Sequence, residues 1–158
     1  MRLTLPHERR KVEVQPPLIV TVRSGVRPLD FTYASFDMPI VTANVAAILA
    51  AAGGLDIQRF PVLVDGQQGR HEIINVVSRV RCIDAERSDV MWWTEVDKRP
   101  DKMGTAKMIT NLTIDPRRVG KQQIFRPEEW DVAIIVSDVI RKSLERENVS
   151  GVTFREVT

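Results

Sequence analysis

The sequence predicts an α+β fold: one compact domain with a mostly antiparallel or mixed sheet and two main helices. Three observations carry this. β-Branched and aromatic residues gather in many short runs bounded by turn residues. Only two stretches, near residues 42–54 and 137–151, keep helical spacing. These helices are widely separated, so the regular strand–helix alternation of a doubly wound parallel fold is missing. A chain of 158 residues fits one domain and buries roughly 70% of the surface its unfolded form exposes.

Residues 1–28 read as an extended N-terminal arm ending in the first strand, and residues 29–158 as the folded domain. Pro6, Pro16 and Pro17 remove backbone donors and disfavour helix before them. Residues 18–22 are apolar enough for a short strand, and Ser24-Gly25 turns the chain. Residues 28–39 read as an irregular connection whose aromatics, Phe31, Tyr33 and Phe36, pack on the core. A helix follows, because Thr42 can cap it, Val45, Ile48, Leu49 and Ala52 share a stripe, and Gly53-Gly54 supplies a left-handed exit.

Residues 59–64 form a strand closed by the glycine-bearing loop at 65–69. Residues 73–83 read as one long strand. Ile74, Val76, Ser78, Val80 and Cys82 share one face, and Ile73, Asn75, Val77, Arg79, Arg81 and Ile83 share the other, with one face buried. Ile73, Val76, Val77 and Val80 also keep helical spacing, but the density of β-branched residues favours a strand. Residues 90–93 give a strand edge followed by a loop at 97–104, and Met108, Thr110, Leu112 and Ile114 alternate as a further strand. Asp115-Pro116 turns the chain, Ile124-Phe125 restores a strand, and residues 127–130 turn again, with Trp130 as a core anchor. Residues 132–136 resemble a strand buried on both faces. Ser137 caps the second helix, Asp138 favours its dipole, and Val139, Ile140 and Leu144 face inward. Residues 148–151 end that helix, and residues 152–157 form a last strand.

Composition excludes several functions. Apolar residues are 43% and charged residues 28% of the chain, yet no apolar run approaches the roughly 20 residues a membrane-spanning helix needs. The opening ten residues lack an apolar core followed by a cleavage site, so a cytoplasmic protein is expected. Cys82 stands alone, which forbids an internal disulfide and fits a reducing compartment. The net charge of +2 divides into a basic lead of six cations against Glu8 and Glu13 through Arg27, and a slightly acidic body. The lead's cations are dispersed among prolines, which favours a solvated segment over a nucleic-acid grip.

No arrangement of residues specifies a reaction. His7, His71 and Cys82 lack metal-ligand spacing, and Asp84, Glu86 and Asp89 read as a solvated acidic loop more readily than as a magnesium site. Ser78, His71 and Asp84 supply the residue types of a catalytic triad without an elbow motif around the serine. Gly66-Gln67-Gln68-Gly69 fits a hairpin loop better than a phosphate or RNA clamp, and Arg117-Arg118 with Lys121 reads as a solvated basic turn. Trp92-Trp93 favours recognition instead. Neighbouring strand residues point to opposite faces, so at least one indole is expected to be partly exposed beside Glu95, Asp97 and Arg99, as an aromatic anchor with a polar rim.

The succession Ile74-Asn75-Val76, Cys82-Ile83-Asp84, Ser88, Ile114-Asp115-Pro116, Ile124-Phe125-Arg126, Ile135-Val136-Ser137 and Gly151-Val152-Thr153-Phe154 resembles a bacterial immunity-protein family. It is the family numbered eleven among those of polymorphic-toxin systems, and the similarity runs from about residue 29 to the end. The resemblance implies an antidote, encoded near a toxin, that neutralises it by direct binding. The partner is then a cognate toxin, with no catalytic residue, cofactor or metal, no nucleic acid and no membrane. The candidate contact is Trp92, Trp93, Glu95, Asp97 and Arg99. Two readings of other classes stay open: a small hydrolase or nucleotide-handling enzyme, and a generic protein-interaction domain.

Overall fold

The computed structural model describes residues 7–9, 11–22 and 27–158. The turn expected at Ser24-Gly25 lies outside them. Strands β1 (His7–Arg9), β2 (Leu18–Val20), β3 (Phe31–Ala34) and β4 (Met38–Thr42) lead into helix α1 (Ala43–Gly53). Strands β5 (Ile57–Val64), β6 (His71–Val76), β7 (Ser78–Val80), β8 (Asp89–Trp92), β9 (Ala106–Asn111), β10 (Ile124–Pro127) and β11 (Ile135–Val136) then precede helix α2 (Asp138–Arg146). The architecture is a single α+β domain with mixed sheets. A five-stranded sheet runs β2-β5-β6-β4-β3, a four-stranded one β1-β7-β10-β11, and β8 and β9 form a separate ribbon. Only β2–β5 and β10–β7 pair in parallel among the described strands.

Residues 28–39 are more regular than the sequence suggests. Phe31 pairs with Val41 and Tyr33 with Pro39 in an antiparallel β3–β4 hairpin. Pro39 reads as a breaker, but the pairing of β4 with β6 begins only at Ile40, so its missing N–H deprives no neighbour. The α1 expectation holds in extent, with Gly54 at φ 49° taking the exit. Thr42 sits at the N-cap without a side-chain cap bond; the first helical N–H, of Ala43, instead donates to the Arg70 carbonyl at 3.0 Å.

The long strand expected at 73–83 breaks at Val77, whose N–H donates to Asp56 O at 2.9 Å, and the chain passes there from one sheet to the other. Both faces of the run are therefore buried. Ile74 and Val76 join Val41, Val45, Leu49, Ile124, Ile140 and Leu144 in the main core beneath the helices, while Ile73 packs with Ile40 and Val62 on the opposite face. Full burial of one leucine or isoleucine contributes about 1.5–3 kcal/mol, so this two-sided core is the principal source of stability.

Three further expectations change near the C-terminus. In the 132–136 run only Ile135 and Val136 pair, and Val132 is exposed, because β11 has β10 on one side and no strand on the other among the described residues. In α2, Ile140 and Leu144 are buried four residues apart, but Val139 falls off that stripe and is exposed. Residues 152–157 form no strand. They make an extended strap held by Ile114 N–Val157 O at 2.7 Å and by Arg155 against Asn111 at 3.0 Å, with Phe154 and Val157 packed on two core clusters. Ser137 does cap α2, accepting from Ile140 N at 3.5 Å. Trp130 packs partly buried against the cluster of Ile83, Ala106 and Ile109.

Candidate interaction surface

The hairpin of β8 and β9 holds every candidate contact residue, Trp92 in β8 and Trp93, Glu95, Asp97 and Arg99 in the segment that joins the strands. Two register irregularities, between Asp89 and Val90 and between Met91 and Trp92, break the simple alternation expected of these strands. In consequence β9 buries Ala106 and Ile109, and Met108, which the alternation groups with Leu112 and Ile114, turns out beside its cross-strand partner Met91. Met91, Met108, Met103 and the 88% exposed Val96 give this one hairpin an apolar exterior. Methionines on such a surface adapt to the shape they meet.

The two tryptophans divide between fold and surface, and each is half-buried. Trp92 leans on Ile83, Ala106 and Ile109 with Val90 and Trp130, anchoring the ribbon to the body. Trp93 turns outward and is surrounded by cations: Lys107 Nζ lies 4.9 Å, Lys102 Nζ 5.4 Å and the Arg99 guanidinium 5.9 Å from its ring centroid.

The connecting loop is set by Asp97. Its Oδ2 accepts from Thr94 N at 2.9 Å and Thr94 Oγ1 at 3.1 Å, closing a capping box over the short 3-10 turn Glu95–Asp97. Its Oδ1 accepts from Lys107 Nζ at 2.6 Å. The Lys107 ammonium first, and the Thr94 N–H next, hold its carboxyl down at about 2. Arg99 engages Asp101 through two bonds of 2.9 and 2.8 Å. Glu95 is exposed and meets no cation among the described residues. The structure thus brings Trp93, Asp97 and Arg99 into one cluster, leaves Glu95 at its rim and assigns Trp92 to the core. Lys102, Lys107, Met91, Val96 and Met103 belong to the same surface and escape sequence reasoning. Lys107 lies ten residues from Asp97, and only the hairpin pairing unites them.

The other candidate groups have structural roles. Asp84 Oδ1 accepts from Glu86 N and Arg87 N, making an acidic turn, and its Oδ2 pairs with Arg87 at 2.9 Å. No group of His, Cys, Asp or Glu suited to a metal occurs among the described residues. His71 lies in the five-stranded sheet opposite Thr42 and Val62, Ser78 lies in the other sheet, and no hydrogen bond joins them or Asp84. Arg117 and Arg118 both pair with Asp115, at 2.9 and 3.5 Å. Cys82 is fully buried and burial pushes its thiol up to about 12, which removes the thiolate a nucleophile needs.

An α+β body that carries a cation-ringed tryptophan on a protruding, methionine-faced ribbon has the composition of a recognition domain. A model of the immunity protein family Imm11 matches residues 10–158, and the chain belongs to that family. Among curated proteins no relative matches it. No helix among the described residues is long and apolar enough to cross a membrane.

Proposed function

We propose that this chain is an antidote that neutralises a bacterial toxin by binding it directly, without catalysis. The observation that carries the reading is family membership over nearly the whole chain, residues 10–158. The ribbon supports it. Trp93, with Lys102 and Arg99 at its face, offers an aromatic anchor ringed by positive charge for toxin carboxylates, and Met91 and Met108 offer an apolar flank that deforms to fit. Trp93, Glu95, Asp97 and Arg99 are the proposed contact residues, with Trp92 holding the ribbon in place.

The test is co-expression with the product of the neighbouring gene. Rescued growth together with a complex that copurifies is the expected result. Rescue without a complex would point to an enzymatic antidote, and no rescue would remove the reading.

A further inference from the structure

A cavity of about 160 Å³ opens at the margin of the main core beneath α1, between β3, α2 and the C-terminal strap. Its floor is Leu49, Ile74, Val76 and Ile124, and the exposed residues Tyr33, Gly151 and Thr153 form its mouth. Its lining contains no charged residue, so it selects an apolar occupant. A cavity of about 150 Å³ with such walls accepts a benzene ring.

The strand beside the mouth is an incomplete edge. β3 is the last strand of its sheet, and Phe31 N donates outward to Ser150 O at 3.1 Å. Backbone direction repeats every second residue, so the N–H and C=O of Tyr33 also point outward, and neither has a partner among the described residues. Ser150 supplies the first rung of an added strand, and the next rung is open. A residue paired opposite Tyr33 would send its side chain to the face that Tyr33 and Phe31 share, which is the face of the cavity. Phe31 and Tyr33 already stand edge to face, with centroids 5.5 Å apart, and present further ring edges to an incoming aromatic.

We infer that β3 accepts an extended segment of a partner protein, paired at Tyr33, with one phenyl-sized apolar side chain seated in this cavity. Main-chain bonds would supply affinity and the cavity specificity, as in other strand-addition complexes. That the partner is the toxin rests on the antidote reading; the edge and its pocket do not.

The test uses the full chain, labelled at its methyl groups, and a short threonine-rich peptide with one central phenylalanine. Saturable shifts confined to the methyls of Ile74, Ile124, Val136 and Leu144 and to the Tyr33 amide are expected, and the same peptide with alanine at its centre should leave them in place. Tyr33→Pro removes the outward N–H, which no bond among the described residues uses, while Tyr33→Val keeps it. The proline variant should melt like the valine variant yet bind the peptide about tenfold more weakly, the worth of one well-made hydrogen bond. Absence of shifts at millimolar peptide, or equal binding by the two variants, would overturn the inference. So would a dimer of this chain that Tyr33→Pro dissolves, since the edge would then belong to a second copy. Failure of growth rescue alongside peptide binding counts against the antidote reading alone.

Discussion

The α-carbon of Gly151 lies so close to Phe31 that a β-carbon added to it would stand 2.0 Å from the Phe31 carbonyl oxygen. Gly151 also has φ of 88°, which other L-residues rarely adopt. This contact draws the start of the strap onto the edge of the five-stranded sheet. Gly151→Ala should destabilise the fold by about 3 kcal/mol or more, combining backbone strain with a displaced strand. Gly66, at φ 73° with open space around it, is the control, and Gly66→Ala should cost about 1–2 kcal/mol. Urea unfolding of the two variants checks both; equal losses would mean that the strap moves aside freely.

Beside that contact, the Asp30 carboxylate accepts from Ser150 Oγ at 2.6 Å and Ser150 N at 2.9 Å. The Ser150 hydroxyl first, and its N–H next, hold the Asp30 carboxyl below its usual range. A folded pKa below the unfolded one gives stability that is present above the ordinary carboxylate range and is lost as pH falls through the lowered value. Ser150→Ala should therefore lower the melting temperature at pH 6 and narrow its distance from the native protein near pH 3. A gap that persists unchanged into acid would show that the hydroxyl acts by packing alone.

Trp92 and Trp93 are adjacent in sequence but not equivalent. Trp92→Ala removes a ring packed on Ile83, Ala106 and Ile109 and should destabilise the protein by about 2–4 kcal/mol. Trp93→Ala should change stability by less than about 1 kcal/mol, since its partners are solvent-facing cations, while it weakens toxin protection. Thermal unfolding and growth rescue, measured on both variants, separate the roles. Full protection by Trp93→Ala would take the ribbon out of the contact.

Which of these features the sequence discloses follows from the range of the interactions that fix them. The helices were legible because spacing and caps act within a few residues, as at Ser137 and the Ile140–Leu144 stripe. The order of landmark residues disclosed the family, which spans 10–158. The break at Val77 was hidden, because the bond that turns it comes from Asp56, twenty-one residues earlier. The outward turn of Met108 was hidden for a related reason. It depends on irregular pairing with β8, which periodicity within one strand cannot report. The strap at 152–157 has a strand's composition, but its N–H and C=O groups meet single contacts such as Ile114 rather than a ladder. At the surface, the aromatic pair and Arg99 were legible and the two lysines over Trp93 were not; Lys107, for one, reaches the ring only across the hairpin.

Lys107 joins two features of that surface, pairing with Asp97 while it covers Trp93. Lys107→Met should release the Asp97 carboxyl from about 2 towards the ordinary range, because the ammonium is the largest of the influences that depress it. The Thr94 bonds remain, so the return should be incomplete. Carboxyl-carbon NMR titration of Asp97 reads the change directly. An unmoved carboxyl would assign its acidity to the capping box.

Glu129 is a buried carboxylate whose sign opposes that of Asp30. Its backbone is well used: the Glu129 carbonyl accepts from Ala106 N at 2.7 Å, fastening the ribbon to the body. Its side chain is not. Oε1 is 3.8 Å from Arg81 Nε, and Oε2 is buried without a hydrogen-bond partner among the described residues. Burial, ahead of every other influence, raises its pKa. A raised folded pKa gives stability that is complete below the ordinary carboxylate range and is lost as pH rises through the raised value, so the ionised group costs stability at neutral pH. Glu129→Gln keeps the shape and removes the charge. It should stabilise the protein by about 1 kcal/mol at pH 7, the difference between desolvating a charge and leaving an amide imperfectly bonded. That advantage should vanish as pH falls towards 4, where the native carboxyl takes up its proton. Urea midpoints of the two proteins at pH 7 and pH 4 make the comparison. A glutamine variant less stable at pH 7 would mean that the attraction of Arg81 for the carboxylate outweighs the cost of its burial.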